Sequence, residues 1–539
     1  MRRHVFGGET SGSLRVQFSD AASIATIPIA KCLRGGSETS GIGSESAPAR
    51  LLRTVLPEAT FFGCDDIEWT QLAADVSECS SGDIVVYRSG EGDPNEFIAE
   101  AMARGAAGIV TEQMLPCPIP QCIVGSVDRA LAKIVSVNEG TPDRKLLTVG
   151  VLGTNGKTSI CLLAATVTNA MGIRTAFQCD LGSHDGVISD TPSRRVPVGA
   201  ELIEWIGEAS DCGSRVALIE VDETAARRGC YDAMQFDVLI VAGRSSRCDD
   251  FGPTGLDCML ERLTPRGVVL VEASDTKGLN SAAEGGFQYV TYGTGEDADF
   301  TARMVDQSGG MSTLMLSSAD TNAMMETPLC GRGMAANVAA SAALAGLLGQ
   351  GLPESAKALA TLRSIPGRGQ RLVEFHSPTV VLESAGAVDR LVQSLKTAKS
   401  VGAGGKLWCV FAIGDTDDAE TLAAYGHALE RHSHRSVVTS RHDAGEPFLK
   451  RTHQLLDGVQ KCAEFRLVAD LKRAIGWSLE VAGPNDTIVI CANMSASGSP
   501  AEERAELVRL EKLVDSLRRP VDLTELPDEG KPISLKLFP

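Results

Sequence analysis

One short stretch constrains the fold of this chain more than any other. LLTVGVL, residues 146–152, is a continuous apolar run, and GTNGKTS follows it directly at 153–159. A long Ala- and Leu-rich segment, predicted to be a helix, comes next. An apolar strand, a glycine-rich turn and a helix in this order build a phosphate-binding loop. The sequence therefore predicts an α/β fold with a nucleotide site at this turn.

The residue types in the turn suit contact with phosphate. Gly153 and Gly156 allow a tight backbone turn whose N–H groups face phosphate oxygens, which a Cβ would obstruct. Lys157 can neutralise the β- and γ-phosphates, and Thr158 can offer its hydroxyl to Mg²⁺. The run predicted to bind ATP is Gly153, Thr154, Asn155, Gly156, Lys157, Thr158 and Ser159. Valine occupies position 151, where the strict eight-residue Walker pattern has glycine, so a plain glycine turn is the alternative.

The net charge of the chain bears on which partners it can bind. The 539 residues include 51 Lys and Arg against 69 Asp and Glu, a net charge of −18. A polyanion is not attracted to nucleic acid or to an anionic membrane, so neither is expected as a partner. No apolar run approaches the ~18 residues of a spanning helix. We expect a cytoplasmic protein without membrane insertion.

Three strand–helix blocks follow a Gly/Ser-rich start. Residues 1–47 end in a patch typical of a flexible extension. The blocks are predicted to be three domains at 48–143, 144–368 and 369–539. VALIEV, DVLIVAG and GVVLVEAS in the second block, and TVVLES, KLWCVFAIG and TIVICAN in the third, are typical of buried parallel strands.

The turn and several other segments resemble the Mur ligases, cytoplasmic enzymes that add amino acids to UDP-N-acetylmuramoyl peptides, and are most similar to the MurE type. The similarity spans about residues 48–515. Besides GTNGKTS, it rests on SSGDIVVYRSGEGDPNEFIAEAMARGAAGIVTE, TPSRRV, ALIEVDETAARRGCYDAMQFDVLIVAG, LCGRGMAANVAASAAL and PGRGQRLVEF. The resemblance implies a three-domain architecture: an N-terminal uridine-nucleotide domain, a central P-loop parallel-sheet domain and a C-terminal Rossmann-like domain.

The resemblance also implies a reaction. It is ATP-dependent amide formation in peptidoglycan precursor synthesis, with Mg²⁺ and with a UDP-N-acetylmuramoyl peptide as the nucleotide partner. A substrate carboxylate attacks the γ-phosphate of ATP, an acyl phosphate forms, and an amine displaces phosphate. The protein's main task is to hold these anionic groups close together. We expect a monomer.

Individual residues take roles from the resemblance. Glu220 aligns with the family's metal-binding glutamate, and Thr191 and Pro192 align with its substrate loop. Asn337 and Arg368 align with adenosine and phosphate contacts. The alternative for Glu220 is a surface carboxylate at a strand end. For Asn337 it is an amide that packs between helices, and for Arg368 it is an ordinary salt bridge.

Glu261 aligns approximately with a lysine that the family carbamylates. A glutamate supplies a comparable negative charge without modification. We therefore expect Glu261 to act beside Lys157 by orienting Mg²⁺ near the γ-phosphate. The alternative is a solvated carboxylate on the helix that contains CMLERL.

Several other family motifs are altered. Asp-Glu-Thr at 222–224 replaces Ser-Ser-His, and SSRCDDFG lacks the family's histidine. Arg-His-Asp-Ala at 441–444 replaces the Asp-Asn-Pro-Arg motif that reads diaminopimelate, so we expect diaminopimelate to be a poor substrate. Two functions remain open: a ligase with a diverged acceptor, or a catalytically impaired ATP-binding paralogue with a regulatory or scaffold role.

Overall fold

The structure, a computed structural model, describes residues 50–518 except for 74, 91, 191–195, 244–253, 309, 320, 375, 385, 403, 415–416, 442–445 and 493–499. The predicted extension at 1–47 lies outside the described residues. The chain divides into two compact units. The first unit comprises Met1–Gly369, Lys396–Val401 and Ala496–Arg504, and the second comprises Gln370–Leu395, Gly402–Ser495 and Ala505–Pro539.

The first unit begins with a small α/β layer. Its four-stranded sheet has the order β2-β6-β5-β4, and β1 pairs with β3 beside it. Its buried core includes Leu52, Trp69, Ile84, Val110 and Ile134. The elements are β1 (Arg50–Leu51), α1 (Leu52–Val55), β2 (Thr60–Phe62), β3 (Glu68–Trp69), β4 (Ile84–Tyr87), α2 (Pro94–Arg104), β5 (Gly108–Thr111), β6 (Gln121–Ile123) and α3 (Val127–Asn138).

The central sheet of the first unit has eleven strands in the order β10-β9-β8-β11-β7-β12-β13-β14-β15-β16-β17. In this spatial order, every neighbouring pair in the run β8-β11-β7-β12-β13-β14-β15 is parallel. Its elements are β7 (Leu147–Leu152), α4 (Lys157–Ala170), β8 (Thr175–Cys179), β9 (Gly182–His184), β10 (Ser189–Asp190), α5 (Ala200–Asp211), β11 (Val216–Glu220), α6 (Glu223–Arg227), β12 (Phe236–Val241), α7 (Gly255–Leu260), β13 (Leu263–Glu272), α8 (Thr276–Glu284), β14 (Gln288–Gly293), β15 (Phe300–Ser308), β16 (Met311–Ser318), β17 (Thr321–Thr327), α9 (Arg332–Leu347) and α10 (Leu352–Leu359).

Three neighbouring strands position the predicted loop. Every residue of β7, β11 and β12 is buried, as expected for parallel strands covered on both faces. Val216–Glu220 runs beside Leu147–Val151, and Val238–Val241 runs beside Val149–Leu152 on the other side. The carboxyl ends of all three strands therefore meet at one edge, where open parallel sheets bind ligands.

An antiparallel meander extends the central sheet and was not predicted. β15, β16 and β17 pair antiparallel in sequence, from Phe300 to Thr327. Along β16, the buried residues Ser312, Leu314 and Leu316 alternate with half-buried ones. This period of two is the ordinary sign of a strand with one covered face.

The second unit contains most of a six-stranded sheet in the order β18-β19-β23-β20-β21-β22. Every neighbouring pair in the run β19-β23-β20-β21-β22 is parallel. Every residue of β20 is buried. The elements are β18 (Arg368–Leu372), β19 (Thr379–Glu383), α11 (Val388–Val401), β20 (Leu407–Ile413), α12 (Ala419–His432), β21 (Arg435–Ser440), α13 (Glu446–Leu456), β22 (Phe465–Asp470), α14 (Leu471–Val481), β23 (Thr487–Cys491) and α15 (Pro500–Arg518).

The predicted fold class is confirmed, because two separate parallel sheets with helical crossovers follow a smaller α/β layer. Within the part of the chain that the structure describes, no helix combines the length and the apolar character needed to cross a bilayer.

Candidate functional site

The turn after β7 forms a tight loop against the end of β12. The N–H groups of Thr154 and Asn155 both donate to the carbonyl oxygen of Gly243, at 3.1 and 2.9 Å. Gly153 has φ +132°, and a Cβ there would lie 2.5 Å from the carbonyl oxygen of Ala242. No side chain fits at this position, so the glycine is required by the close approach of two backbones.

The helix after the loop begins with the two residues predicted to face phosphate and metal. Lys157 is the first residue of α4, and its Nζ donates to the carbonyl oxygen of Gly153 at 3.0 Å. Thr158 is 2% exposed, and its hydroxyl donates to Glu220 Oε2 at 3.0 Å. Lys157 Nζ also lies 3.6 Å from Glu220 Oε1. The structure thus brings Lys157, Thr158 and Glu220 together at the positive end of a helix.

Glu220 is the centre of this cluster. It ends β11, is 4% exposed, and accepts from the backbone N–H of Asp180 at 3.0 Å as well as from Thr158. A buried carboxylate requires such donors and a nearby cation, because burial disfavours its charged form. The alternative of a surface carboxylate at a strand end does not describe Glu220.

Asp180 is a member of the cluster that the sequence did not indicate. It directly follows β8, and its carboxyl group contacts that of Glu220. Burial, together with the negative charge of Glu220, raises the pKa of Asp180 to about 6, although Lys157 and Arg368 act in the opposite direction. The signal that could have found it is its position: a carboxylate directly after an apolar strand, next in the sheet to the strand that ends in Glu220.

Asn337 lies against the loop. It is on α9. A Cβ added to Gly156 would lie only 2.5 Å from the side-chain oxygen of Asn337. Gly156 has φ +94°. The helix that carries Asn337 therefore places an amide directly beside the loop.

Arg368 forms an ion pair. Its Nη1 lies 2.8 Å from Glu503 Oε1, and the arginine side chain is 9% exposed. Its positive charge also lowers the pKa of Asp180, so it acts electrostatically on the cluster around Glu220.

Glu261 does not reach the cluster, and the prediction for this residue is wrong. It caps the carboxyl end of α7, its side chain is 73% exposed, and its carboxylate lies 3.2 Å from the guanidinium of Arg262. β13 begins two residues later, and Leu263 pairs with Phe236 at the start of β12. Glu220 lies at the other edge of the sheet, about four residues or roughly 13 Å further along the strands.

The remaining predicted site residues are of two kinds. Ser159 is 4% exposed within the first turn of α4 and packs inside the domain. Thr191 and Pro192, the predicted substrate loop, lie outside the described residues.

The cluster fits a magnesium nucleotide on its own chemistry. The threonine hydroxyl and carboxylate oxygens are the ligand types that Mg²⁺ prefers. Gly153 and Gly156 keep side chains out of the loop in front of a helix start. In the described part of the chain, Asn155 Oδ1 is also buried without a hydrogen-bond partner. Thr158 and Glu220 would hold the metal, and Lys157 and the loop would hold the phosphates.

Comparison with protein families agrees with this geometry. The family described as "Mur ligase middle domain" matches residues 151–345, which contain the loop, Glu220 and Asn337. The family described as "Mur ligase, glutamate ligase domain" matches residues 367–494.

Curated relatives cover most of the chain. A protein of Thermosynechococcus vestitus is 26% identical over 426 residues, 77% of this chain and 86% of the relative. One of Aquifex aeolicus is 26% identical over 407 residues, 74% of this chain and 83% of the relative. Both are named UDP-N-acetylmuramoyl-L-alanyl-D-glutamate–2,6-diaminopimelate ligase.

Solved structures show the same fold. A structure of a UDP-N-acetylmuramoyl-L-alanyl-D-glutamate–2,6-diaminopimelate ligase superposes with a TM-score of 0.59 and 19% identity, covering 86% of this chain and 99% of that chain. The MurF ligase of Thermotoga maritima in complex with ADP gives 0.57 and 20%, covering 83% of this chain and 97% of that chain. The three-domain architecture implied by the sequence resemblance is therefore confirmed at the level of the fold.

Proposed function

This chain belongs to the Mur ligase family, and we propose that it is an ATP-dependent ligase that forms an amide bond on a UDP-N-acetylmuramoyl peptide in peptidoglycan precursor synthesis. The observation that carries the proposal is the convergence of Lys157 and the Thr158 hydroxyl on the buried Glu220 carboxylate, at the start of the helix that follows a glycine loop. The relatives' names supply the substrate class.

The proposed reaction has two steps. A carboxylate oxygen of the peptide attacks the γ-phosphorus of ATP, the bond to the β-phosphate oxygen breaks, and ADP leaves with an acyl phosphate formed. The amine nitrogen of the acceptor then attacks the acyl carbon, loses a proton and expels inorganic phosphate. Lys157 and the N–H groups at the start of α4 favour the first step because negative charge accumulates on the phosphate oxygens.

Magnesium would supply further neutralisation of the phosphates when bound. Thr158 and Glu220 would be its protein ligands, which suits its preference for a few hard oxygen donors beside phosphate. We also propose roles for Asn337 beside the nucleotide and for Thr191 and Pro192 in the substrate loop.

Other features of the proposal come from the resemblance. We propose domains at 48–143, 144–368 and 369–539, and a MurE-like ligase that works as a monomer in the cytoplasm, where ATP is available. The acceptor is proposed to be an amino acid other than diaminopimelate.

The test is acceptor-dependent release of ADP. The full-length protein is incubated with ATP, Mg²⁺, UDP-N-acetylmuramoyl-L-alanyl-D-glutamate and each member of an amino-acid panel. We expect ADP to appear only when nucleotide peptide and one acceptor are both present, with a product whose mass equals the sum of the two minus water. The Lys157→Ala variant serves as the inactive control.

One outcome would reverse the conclusion. If ATP binds in the presence of Mg²⁺ but no member of the panel stimulates ADP release, the chain is a nucleotide-binding paralogue rather than a ligase.

A further inference from the structure

Asp180 places a second carboxylate at the nucleotide site. It follows β8, the neighbour of β11 in the sheet, and its carboxyl group contacts that of Glu220. Glu261, the carboxylate that the sequence suggested for the metal at this site, lies at the far edge of the sheet. We propose that Asp180, with Glu220 and Thr158, holds the Mg²⁺ that accompanies ATP. This inference rests on the proposed function.

The three oxygen donors come from three different elements. Thr158 lies in the first turn of α4, Glu220 ends β11, and Asp180 follows β8. β8, β11 and β7 are consecutive in the sheet, so their carboxyl ends bring the donors together without any special loop conformation. A set of one hydroxyl and two carboxylates is typical of a magnesium site that shares its ion with phosphate.

The charges around Glu220 favour a cation at this point. Glu220 Oε2 accepts from both Thr158 and Asp180, whereas Oε1 faces the ammonium group of Lys157 at 3.6 Å. Two carboxylates in contact repel each other unless they share a proton or positive charge lies between or beside them. When Lys157 turns toward a phosphate, a divalent ion can take over that role for both carboxylates.

The backbone and the side chain of Asp180 have separable roles. The hydrogen bond to Glu220 Oε2 comes from the backbone N–H, which any residue except proline would provide. Asp180→Asn therefore keeps this bond and the side-chain shape while it removes one negative charge. The substitution tests the carboxylate alone.

The experiment measures ATP affinity by calorimetry on the full-length protein, once with Mg²⁺ and once with EDTA. The wild type is expected to bind ATP more tightly with Mg²⁺. Asp180→Asn should reduce this gain by about tenfold or more, as loss of groups at metal sites commonly does. In EDTA the variant should bind ATP as well as the wild type or better, because a charge that repels phosphate has been removed.

Asp211→Asn is the matched control. Asp211 is an exposed residue at the end of α5, before β11 begins, so it lies at the opposite edge of the sheet. It undergoes the same chemical change and should leave both affinities unchanged. A thermal melt without nucleotide confirms that Asp180→Asn is folded.

The outcomes separate this inference from the proposed function. Wild type without Mg²⁺-dependent ATP binding contradicts the proposed function and the inference with it. If the wild type shows Mg²⁺-dependent ATP binding and Asp180→Asn has the same affinities, only the role of Asp180 is overturned. Equal losses with Mg²⁺ and with EDTA also overturn it, because they show a general structural effect.

Discussion

The carboxyl edges of the two large parallel sheets use their charged side chains differently. At the central sheet, Lys157 and the Thr158 hydroxyl converge on the Glu220 carboxylate beside the glycine loop. At the sheet of the second unit, the Arg451 guanidinium donates instead to the backbone carbonyls of Gly414 and Asp417, the latter at 3.0 Å. Side chains at the first edge contact each other around a carboxylate, whereas this arginine stabilises the loop beyond its own sheet.

This difference between the two edges shows that the fold determines where a ligand site can lie, whereas the side chains determine its chemistry. Parallel strands with helical crossovers align their carboxyl ends along one edge in both sheets. The central edge combines a glycine loop and a lysine with its buried carboxylate, Glu220, and together these are the groups that a phosphate and a metal require. A shared architecture therefore predicts where ligands bind, and the residues at each edge determine which ligands they are.

The largest effect is expected from Lys157→Ala. Because the ammonium group makes a charge-assisted contact to phosphate, its loss should cost a few kcal/mol and weaken ATP·Mg²⁺ binding by roughly 10- to 150-fold. Calorimetry measures it directly. Lys357→Ala, an exposed lysine of α10, is the control and should bind ATP normally. Equal affinities for Lys157→Ala and wild type would show that the central edge is no phosphate site.

A pair of substitutions compares the two edges directly. Glu220→Gln removes the charge that faces Lys157, so ATP binding in Mg²⁺ should weaken by roughly tenfold or more. Glu383 is its counterpart in the second unit, a buried glutamate at the end of β19. Glu383→Gln should leave ATP affinity within about twofold of wild type. Similar losses for both variants, measured by calorimetry, would contradict the division of roles between the edges.

Arg441 tests whether the second edge recognises the acceptor. It follows β21, and among the described residues its Nε is buried without a hydrogen-bond partner. Arg441→Ala should raise the KM for the amino-acid acceptor by about tenfold, the value of one charge-assisted bond, and leave the KM for ATP unchanged. Arg435→Ala, at the other end of the same strand, should change neither constant.

Diaminopimelate provides the counter-test for this second edge. Alanine at position 444 offers no bidentate partner for its distal carboxylate, so ADP release with this acceptor should be weak. Efficient use of diaminopimelate by both the wild type and Arg441→Ala would show that acceptor recognition lies elsewhere.

The smallest effect is expected from Glu261→Gln. Its carboxylate is largely exposed and pairs with Arg262 at the far edge of the central sheet. ATP affinity in Mg²⁺ should therefore stay within about twofold of wild type, as an exposed ion pair contributes little. A tenfold loss would restore the role that the sequence suggested for this residue.

Local patterns made the nucleotide loop predictable. The strand, the two glycines, Lys157 and the following helix lie within about 25 residues and need no knowledge of distant contacts. Glu220 was also identified, through its position at the end of an apolar strand and through the family resemblance. The two parallel sheets followed from the same kind of apolar runs.

The positions of the other site residues could not be predicted, because they depend on which distant strands pair and in what register. Asp180 meets Glu220 because β8 lies next to β11, and a sequence does not reveal which strands become neighbours. Glu261 was misplaced for a related reason. Its distance from the site depends on where β13 begins relative to β12, and an approximate alignment of segments does not specify that register.

The two hydrogen bonds from Thr154 and Asn155 to the carbonyl oxygen of Gly243 also have a consequence for entropy. They fix the first half of the loop to the sheet without a ligand. Ordering the backbone of one residue costs about 1–2 kcal/mol at 25 °C, and here folding has already met that cost for both residues. Nucleotide association should then approach the rate set by diffusion and orientation, with no slower phase from closure of these two residues.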